Sequence, residues 1–296
     1  MKIKNLINTK FFTEIANHVK TKIPNLRKSK FSTEYYLNKF VLVLTDLAYW
    51  KSLIYTMPET KTFHYKTIYN EYCRWCKFNI FVDAYASLLN KYFFKLKDIK
   101  KAKKLNLFID STFIINKYGH ESVSKLYEYR KKNATKISII SDEYLNILGV
   151  HIPNKSTTHD VKLTQPTLDS IPINLDKFDT INLVGDKGYI TQELFRLGTK
   201  NNLKILTPNK KYKNKKKPKP TINNKNKRKP KPTTKNKRKP KLTKNNIKLL
   251  KKRIIVEHAI NKIKQANRLM LRKDKINKTL ISFIYLRLMM LFEMKN

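Results

Sequence analysis

The stretch Leu183-Val184-Gly185-Asp186-Lys187-Gly188-Tyr189 decides how the chain is read. The apolar run from Thr180 to Val184 that leads into it reads as a buried strand. A helical pattern follows from Ile190 to about Asn201. A carboxylate just past the carboxyl end of a central strand stands where open α/β sheets place their chemistry. Asp186 is therefore a candidate catalytic residue. Taken alone, Gly-Asp-Lys-Gly is also an ordinary strand-to-helix turn, so the rest of the chain has to decide.

Upstream, Leu105 to Ile109 reads as a strand ending at Asp110-Ser111-Thr112, with Phe113 to Ile115 as its continuation. Residues 116 to 135 are polar and basic, with Tyr118, Tyr127 and Tyr129 interleaved. Ile137 to Ile140 is a second strand, Asp142-Glu143 a turn, and Leu145 to Ile152 a third strand. Ser156, His159 and Asp160 open a helix that runs to about Ile171. The Asp186 strand comes next, then the helix from Ile190, then a fifth strand, Leu203 to Leu206. The order is βββαβαβ with a long helix last. This predicts an α/β fold with a ribonuclease H-like mixed sheet: three antiparallel strands, then alternating α and β.

A small all-helical domain is expected before it, over residues 1–97. Ser32 or Thr33 can cap a helix beginning near Glu34, and Leu37, Phe40, Val41, Leu44, Leu47 and Ala48 form its apolar face. Pro58 ends this unit; further helices are expected over Tyr65–Lys77 and Val82–Phe94. Three short helices with basic residues fit a DNA-binding helix-turn-helix module. They fit equally well a cap that only packs on the next domain. Cys73-Arg-Trp-Cys76 has the spacing of half a zinc site, but a structural site needs four ligands and no second pair exists. These two are read as buried helix cysteines.

The catalytic domain is expected over 98–209 and 245–296, split by an insertion at 210–244. That segment holds 18 Lys or Arg and no acid, and Asn-Lys-Arg-Lys-Pro-Lys occurs at 226–231 and again at 236–241. Such sequence repels itself and buries no apolar area, so disorder is expected. Beyond it, Ile247, Leu250, Ile254, Val256, Ala259, Ile260, Ile263 and Ala266 form one helical stripe to about Met270, with Glu257 inside it. A last helix is expected over Asn277–Phe292.

Sixty-five Lys and Arg stand against 21 Asp and Glu, a net charge of +44. Such an excess calls for a polyanion, nucleic acid first. No apolar run approaches the ~20 residues of a membrane span, and MKIKNLINTK lacks the apolar core of a secretory signal. No membrane partner is expected. A cytoplasmic or nucleoid location follows for a bacterial host and a nuclear one for a eukaryotic or viral host.

Asp110 ends the first strand, Asp186 ends the fourth, and Glu257 projects from a helix able to lie across the sheet. First and fourth strands are neighbours in this fold, so the acids can meet. Carboxylates that close repel unless cations neutralise them. Hard oxygen ligands favour Mg²⁺ or Mn²⁺, and two such ions can drive an in-line displacement at phosphorus. With this charge the phosphate is most simply that of DNA.

At these residues the chain resembles the DDE transposases of bacterial insertion sequences, in the branch whose second acid lies in Gly-Asp-Lys-Gly-Tyr. The likeness runs from about Leu105 to Met290. Ile109-Asp110-Ser111-Thr112 resembles the first-acid motif, and Ser156-x-x-His159-Asp160 a landmark between the first two acids. The third-acid signature of related transposases, Tyr-x2-Arg-x3-Glu-x6-Lys, is met by Arg253, Glu257 and Lys264, with Leu250 in the tyrosine position. The resemblance implies catalytic, metal-binding roles for Asp110, Asp186 and Glu257. It implies cleavage of transposon ends and joining of the 3′-hydroxyl to target DNA. Arg253, Lys264, His159 and Lys187 are candidate DNA contacts, and a homo-oligomer on DNA is expected. Two rival readings stay open: a domesticated or decayed transposase that only binds DNA, and a metal-dependent nuclease without strand transfer.

Overall fold

The structure is a computed structural model that describes residues 9–23, 31–47, 49–56, 64–96, 104–126, 132–189, 202–208 and 243–293. The helix expected over 190–201 and nearly all of the 210–244 insertion lie outside the described residues, as does the boundary at residue 97.

Four helices lead: α1 (Thr9–Lys22), α2 (Thr33–Leu42), α3 (Tyr65–Lys77) and α4 (Ile80–Leu96). Ser32 caps α2 by accepting from the Tyr35 amide, and His64 caps α3 by accepting from the Lys66 amide. Between α3 and α4 the chain reverses in two residues because Asn79 takes φ 55, a left-handed conformation asparagine tolerates. Cys76 is buried on α3, where burial pushes its thiol up to about 12.

The sheet is built on β1 (Lys104–Asn116), one continuous strand running through Asp110. β2 (Ser124–Leu126) and β4 (Ile147–His151) both pair antiparallel with β3 (Lys132–Ser141), which pairs antiparallel with β1. β3 begins five residues before the expected Ile137, inside the stretch read as a polar connection. Helix α5 (Asp160–Asp169) follows, then β5 (Thr180–Val184) and β6 (Leu203–Leu206), which extend β1 in parallel. The main strand order β4-β3-β1-β5-β6 is the ribonuclease H-like sheet: the first strand central, the meander on one side and the parallel strands on the other.

The stripe expected as one helix to Met270 is broken into α6 (Lys244–Lys251), α7 (Ile254–Lys264) and α8 (Asn267–Met270). At the first break the amides of Lys252 and Arg253 bond back three residues, to Leu249 and Leu250 at 3.0 and 3.3 Å. That tightening needs no Gly or Pro, so nothing in the apolar pattern announces it. At the second, Ala266 turns extended (ψ 125), and β7 (Leu271–Arg272) pairs in parallel with Ile115–Asn116 of β1. The final helix α9 (Asn277–Glu293) packs on α1, α3 and α4.

The leading helices and the sheet share one buried apolar core. Tyr72 stacks on Phe283 at 4.3 Å and donates to the Thr279 carbonyl, and Tyr85 donates to the Ile147 carbonyl. Arg268 clamps the same junction. Its guanidinium lies over Phe283 and Trp50 and pairs with Asp274 at 2.9 Å, both side chains 3% exposed. No helix among the described residues is long and apolar enough to cross a membrane.

Removing one partner of a buried ion pair leaves a desolvated charge behind. Asp274→Ala is expected to destabilise the protein by about 3–5 kcal/mol, read as a lowered urea midpoint. The double variant Arg268→Met/Asp274→Leu should recover most of the loss, because neither charge is then stranded.

Candidate active site

Successive side chains of β1 point to opposite faces of the sheet. Asp110 and Thr112 face α7: Arg253 Nη1 donates to Asp110 Oδ2 at 3.1 Å, and Lys264 Nζ donates to Thr112 Oγ1 at 2.6 Å. Ser111 and its cross-strand partner Ser138 face α5, meeting Asp160 and Thr167. One strand thus holds its catalytic candidate on one face and the support for it on the other.

Arg253 stands just before α7 and Glu257 in its first turn, four residues apart and so on one helix face. The guanidinium spans two acids, with Nη1 on Asp110 and Nη2 on Glu257. Asp110 also accepts from the Ser111 amide at 2.8 Å. Its carboxyl is nonetheless raised above its ordinary value: burial is the largest cause, and the charges of Asp186 and Glu257 add to it against Ser111 and Arg253.

Asp186 follows β5 directly, and the motif around it closes on itself. Asp186 Oδ1 accepts from the Gly188 amide at 2.6 Å, and the Tyr189 amide reaches the Asp186 carbonyl at 3.3 Å. A Cβ on Gly185 would lie 2.9 Å from the Tyr189 ring, and one on Gly188 2.9 Å from Asp186 Oδ1. Both glycines are therefore there for close approach. The Tyr189 ring is 2% exposed, and its hydroxyl has no hydrogen-bond partner among the described residues. Burial raises that phenol far above its ordinary value, and Asp160, Asp110 and Asp186 all push it the same way.

The Ser156-x-x-His159-Asp160 landmark is a support. Asp160 Oδ1 accepts from Ser111 Oγ at 2.5 Å and pairs with Lys136 Nζ at 2.6 Å. Lys136 is anchored in turn: its Nζ donates to the Thr158 carbonyl and its amide to Ser156 Oγ, which donates to the Ser122 carbonyl. The residue beside Asp110 is thereby held by a buried lysine on β3. Nothing in the sequence marks Lys136, which lies at the edge of a stretch that reads as polar connection, and the Gly-Asp-Lys-Gly-Tyr pattern alone assigns no role to Tyr189. His159 is exposed at the amino-terminal cap of α5 without a capping bond, and Lys187 is exposed in the turn after Asp186.

The structure brings Asp110, Glu257, Arg253 and Lys264 together on the face of β1 toward α7, and Asp186, just past β5, stands near enough for its charge to raise the Asp110 carboxyl. Between its pairing with β5, which ends at Phe108, and with β7, which begins at Ile115, that edge of β1 has no strand partner among the described residues. Asp110 sits in this gap. Among the described residues no three His, Cys, Asp or Glu side chains stand so as to share one metal ion. The donor set still suits Mg²⁺ or Mn²⁺: its oxygens are hard, and Asp110 and Glu257 already grip a common cation, the Arg253 guanidinium.

The family model described as "Transposase DDE domain" matches residues 101–292. No curated protein matches the chain. Among solved structures, a cryo-EM structure of a piggyBac transposase synaptic complex with hairpin DNA is similar at TM-score 0.45 and 11% identity, over 97% of this chain and 72% of that one.

Arg253→Met leaves Asp110 and Glu257 facing each other without compensation. The metal-free variant is expected to lose about 1 kcal/mol, a small cost because all three side chains are partly solvated. Mn²⁺ should raise its melting temperature more than that of the parent, since no guanidinium then competes for the acids. Thermal unfolding in chelator and in Mn²⁺ measures both effects.

Proposed function

The chain belongs to the transposase DDE domain family, and from that premise we propose that it is a DNA transposase acting through Asp110, Asp186 and Glu257. One strand at the transposon end is cleaved by water, and the freed 3′-hydroxyl then attacks target DNA. The observation that carries the reading is the guanidinium of Arg253 spanning Asp110 and Glu257, with Asp186 near enough to push the Asp110 carboxyl up. A site that gathers acids at this cost is a site for cations.

Asp110, Asp186 and Glu257 would hold Mg²⁺ or Mn²⁺, which when bound supplies the charge that activates an attacking oxygen and stabilises a leaving one. Arg253 has two donors in a planar fork, suited to a phosphate once released from the acids. Lys264 is half-buried on Thr112, two residues along the strand, and burial lowers its ammonium below its ordinary value. A phosphate at that point would offset the burial that disfavours the ammonium. Lys187, exposed next to Asp186 in the chain, and His159, exposed at the cap of α5, are proposed as outer contacts to the backbone. Tyr189 offers a buried, unspent hydroxyl beside three carboxylates. It is proposed to position a water or phosphate oxygen at the site.

Asp186→Asn is expected to cut Mg²⁺-dependent cleavage of end-containing DNA by at least about 10²–10³-fold, the scale of losing one transition-state stabilising group, and to leave DNA binding within about twofold. Normal cleavage by this variant would sink the assignment. Tyr189→Phe separates two roles for the ring. If the hydroxyl serves the reaction, the variant folds as stably as the parent, since no internal hydrogen bond is lost, yet cleaves about tenfold or more slowly; a parent-like rate would make Tyr189 a packing residue only.

A further inference from the structure

A second basic cluster lies at the far end of β1, and it is built differently from the first. Tyr49 comes from the helical unit, Lys117 and Tyr118 follow β1, and Lys273 follows β7. Lys273 Nζ lies 3.5 Å from the centre of the Tyr49 ring, and Lys117 Nζ lies 3.1 Å from the Tyr49 hydroxyl. Lys117 also stands over the Tyr118 ring at 5.2 Å. Both rings are open to solvent, 39% and 45% exposed.

The cluster is held in place from below. The Lys117 amide bonds the Arg272 carbonyl at 3.0 Å, continuing the pairing of β1 with β7. The Arg272 side chain is fully buried and donates to the carbonyls of Glu121, Asp274 and Lys275, tying the two loops to each other. Among the described residues neither Lys117 nor Lys273 forms a salt bridge with a carboxylate. Their hydrogen bonds and charges hold the Tyr49 phenol below its ordinary value, the Lys117 bond being the largest cause. An ordinary solvated face spreads its lysines apart. Here two ammoniums share one aromatic ring with no acid paired to either among the described residues, so an anion reaching both would meet uncompensated charge.

We propose that Tyr49, Lys117, Tyr118 and Lys273 form a second DNA site, which grips the backbone of the bound duplex away from the scissile phosphate. The ammoniums take phosphates, and the tyrosine rings lie against sugar and base edges. The distance is set by β1. Seven residues of strand separate Asp110 from Lys117, about 23 Å at ~3.3 Å per residue. That is about seven base pairs at ~3.4 Å each. Lys264 on Thr112 stands on the way. The proposal rests on the reading of this chain as a DNA-acting protein.

The test uses the full chain in chelator, with a duplex carrying the sequences that flank its gene. For Lys117→Ala/Lys273→Ala, the slope of log affinity against log salt should become shallower by about 1.8, at roughly 0.9 for each phosphate no longer neutralised. Lys117→Arg/Lys273→Arg should keep the parent slope. Ethylation of phosphates about seven base pairs from the cleaved bond should interfere with binding by the parent and not by the alanine variant. Parent-like slope and interference in the alanine variant would overturn the second site while leaving the active-site reading intact. A parent chain that binds no DNA would overturn both.

Discussion

Carboxylates gathered in a half-buried site cannot all ionise unless positive charge stands among them. The region around Asp110 is arranged to meet that constraint. Burial raises the Asp110 carboxyl, its two acidic neighbours raise it further, and Arg253 opposes both. The guanidinium comes from the same helix face as Glu257, so the third acid and the charge that compensates it arrive together. A chain of net charge +44 has no shortage of cations. What the fold supplies is one cation with two donors aimed at two acids.

Delivering it depends on strand alternation and on one local departure from regular helix. β1 shows Asp110 and Thr112 to α7, and shows Ser111 to α5. The tightened turn at Lys252–Arg253 ends α6 and starts α7 with Arg253 and Glu257 on the face toward the sheet. On the other face, Lys136, Asp160 and Ser111 form a short polar chain that is satisfied within itself. Polar chains of this kind are stable when every member has a partner, and this one fixes the backbone beside the first acid. Tyr189 is the contrast: a buried hydroxyl with no partner among the described residues, set among the acids.

Much of this was legible in the sequence. The strand order could be read because apolar runs of strand length were separated by turn residues. The acid-bearing motifs stood out because Asp186 follows a short apolar run and Glu257 lies in a helical stripe, whereas Asp110, read as ending its strand, sits in the middle of β1. The breaks at Arg253 and Ala266 could not be read, because neither carries Gly or Pro and each coincides with a contact to the distant strand β1. The early start of β3 was hidden for a related reason. Lys132, Asn133 and Lys136 are polar, and their place in the sheet comes from pairing with β2 and β1 rather than from hydrophobic pattern. The job of Asp160 was equally hidden. Its partners Ser111 and Lys136 are 49 and 24 residues away in the chain, and no local spacing encodes them.

The length of β1 ties these pieces together. Its first half pairs with β5 and its last two residues with β7, and among the described residues the edge between them has no strand partner beside Asp110. A sheet closed along that whole edge would fill it with backbone hydrogen bonds and leave nothing for a substrate to meet. Past the end of β5, Asp186 stands near enough for its charge to raise the Asp110 carboxyl, and β7 pairs with β1 only beyond Asp110. The glycines of the second-acid motif follow from the same geometry. A side chain on Gly185 would displace the Tyr189 ring, and one on Gly188 would push against the Asp186 carboxylate. The gap in the sheet, the two glycines and the guanidinium between the acids are thus one solution to a single problem: keeping like charges close beside an open strand edge.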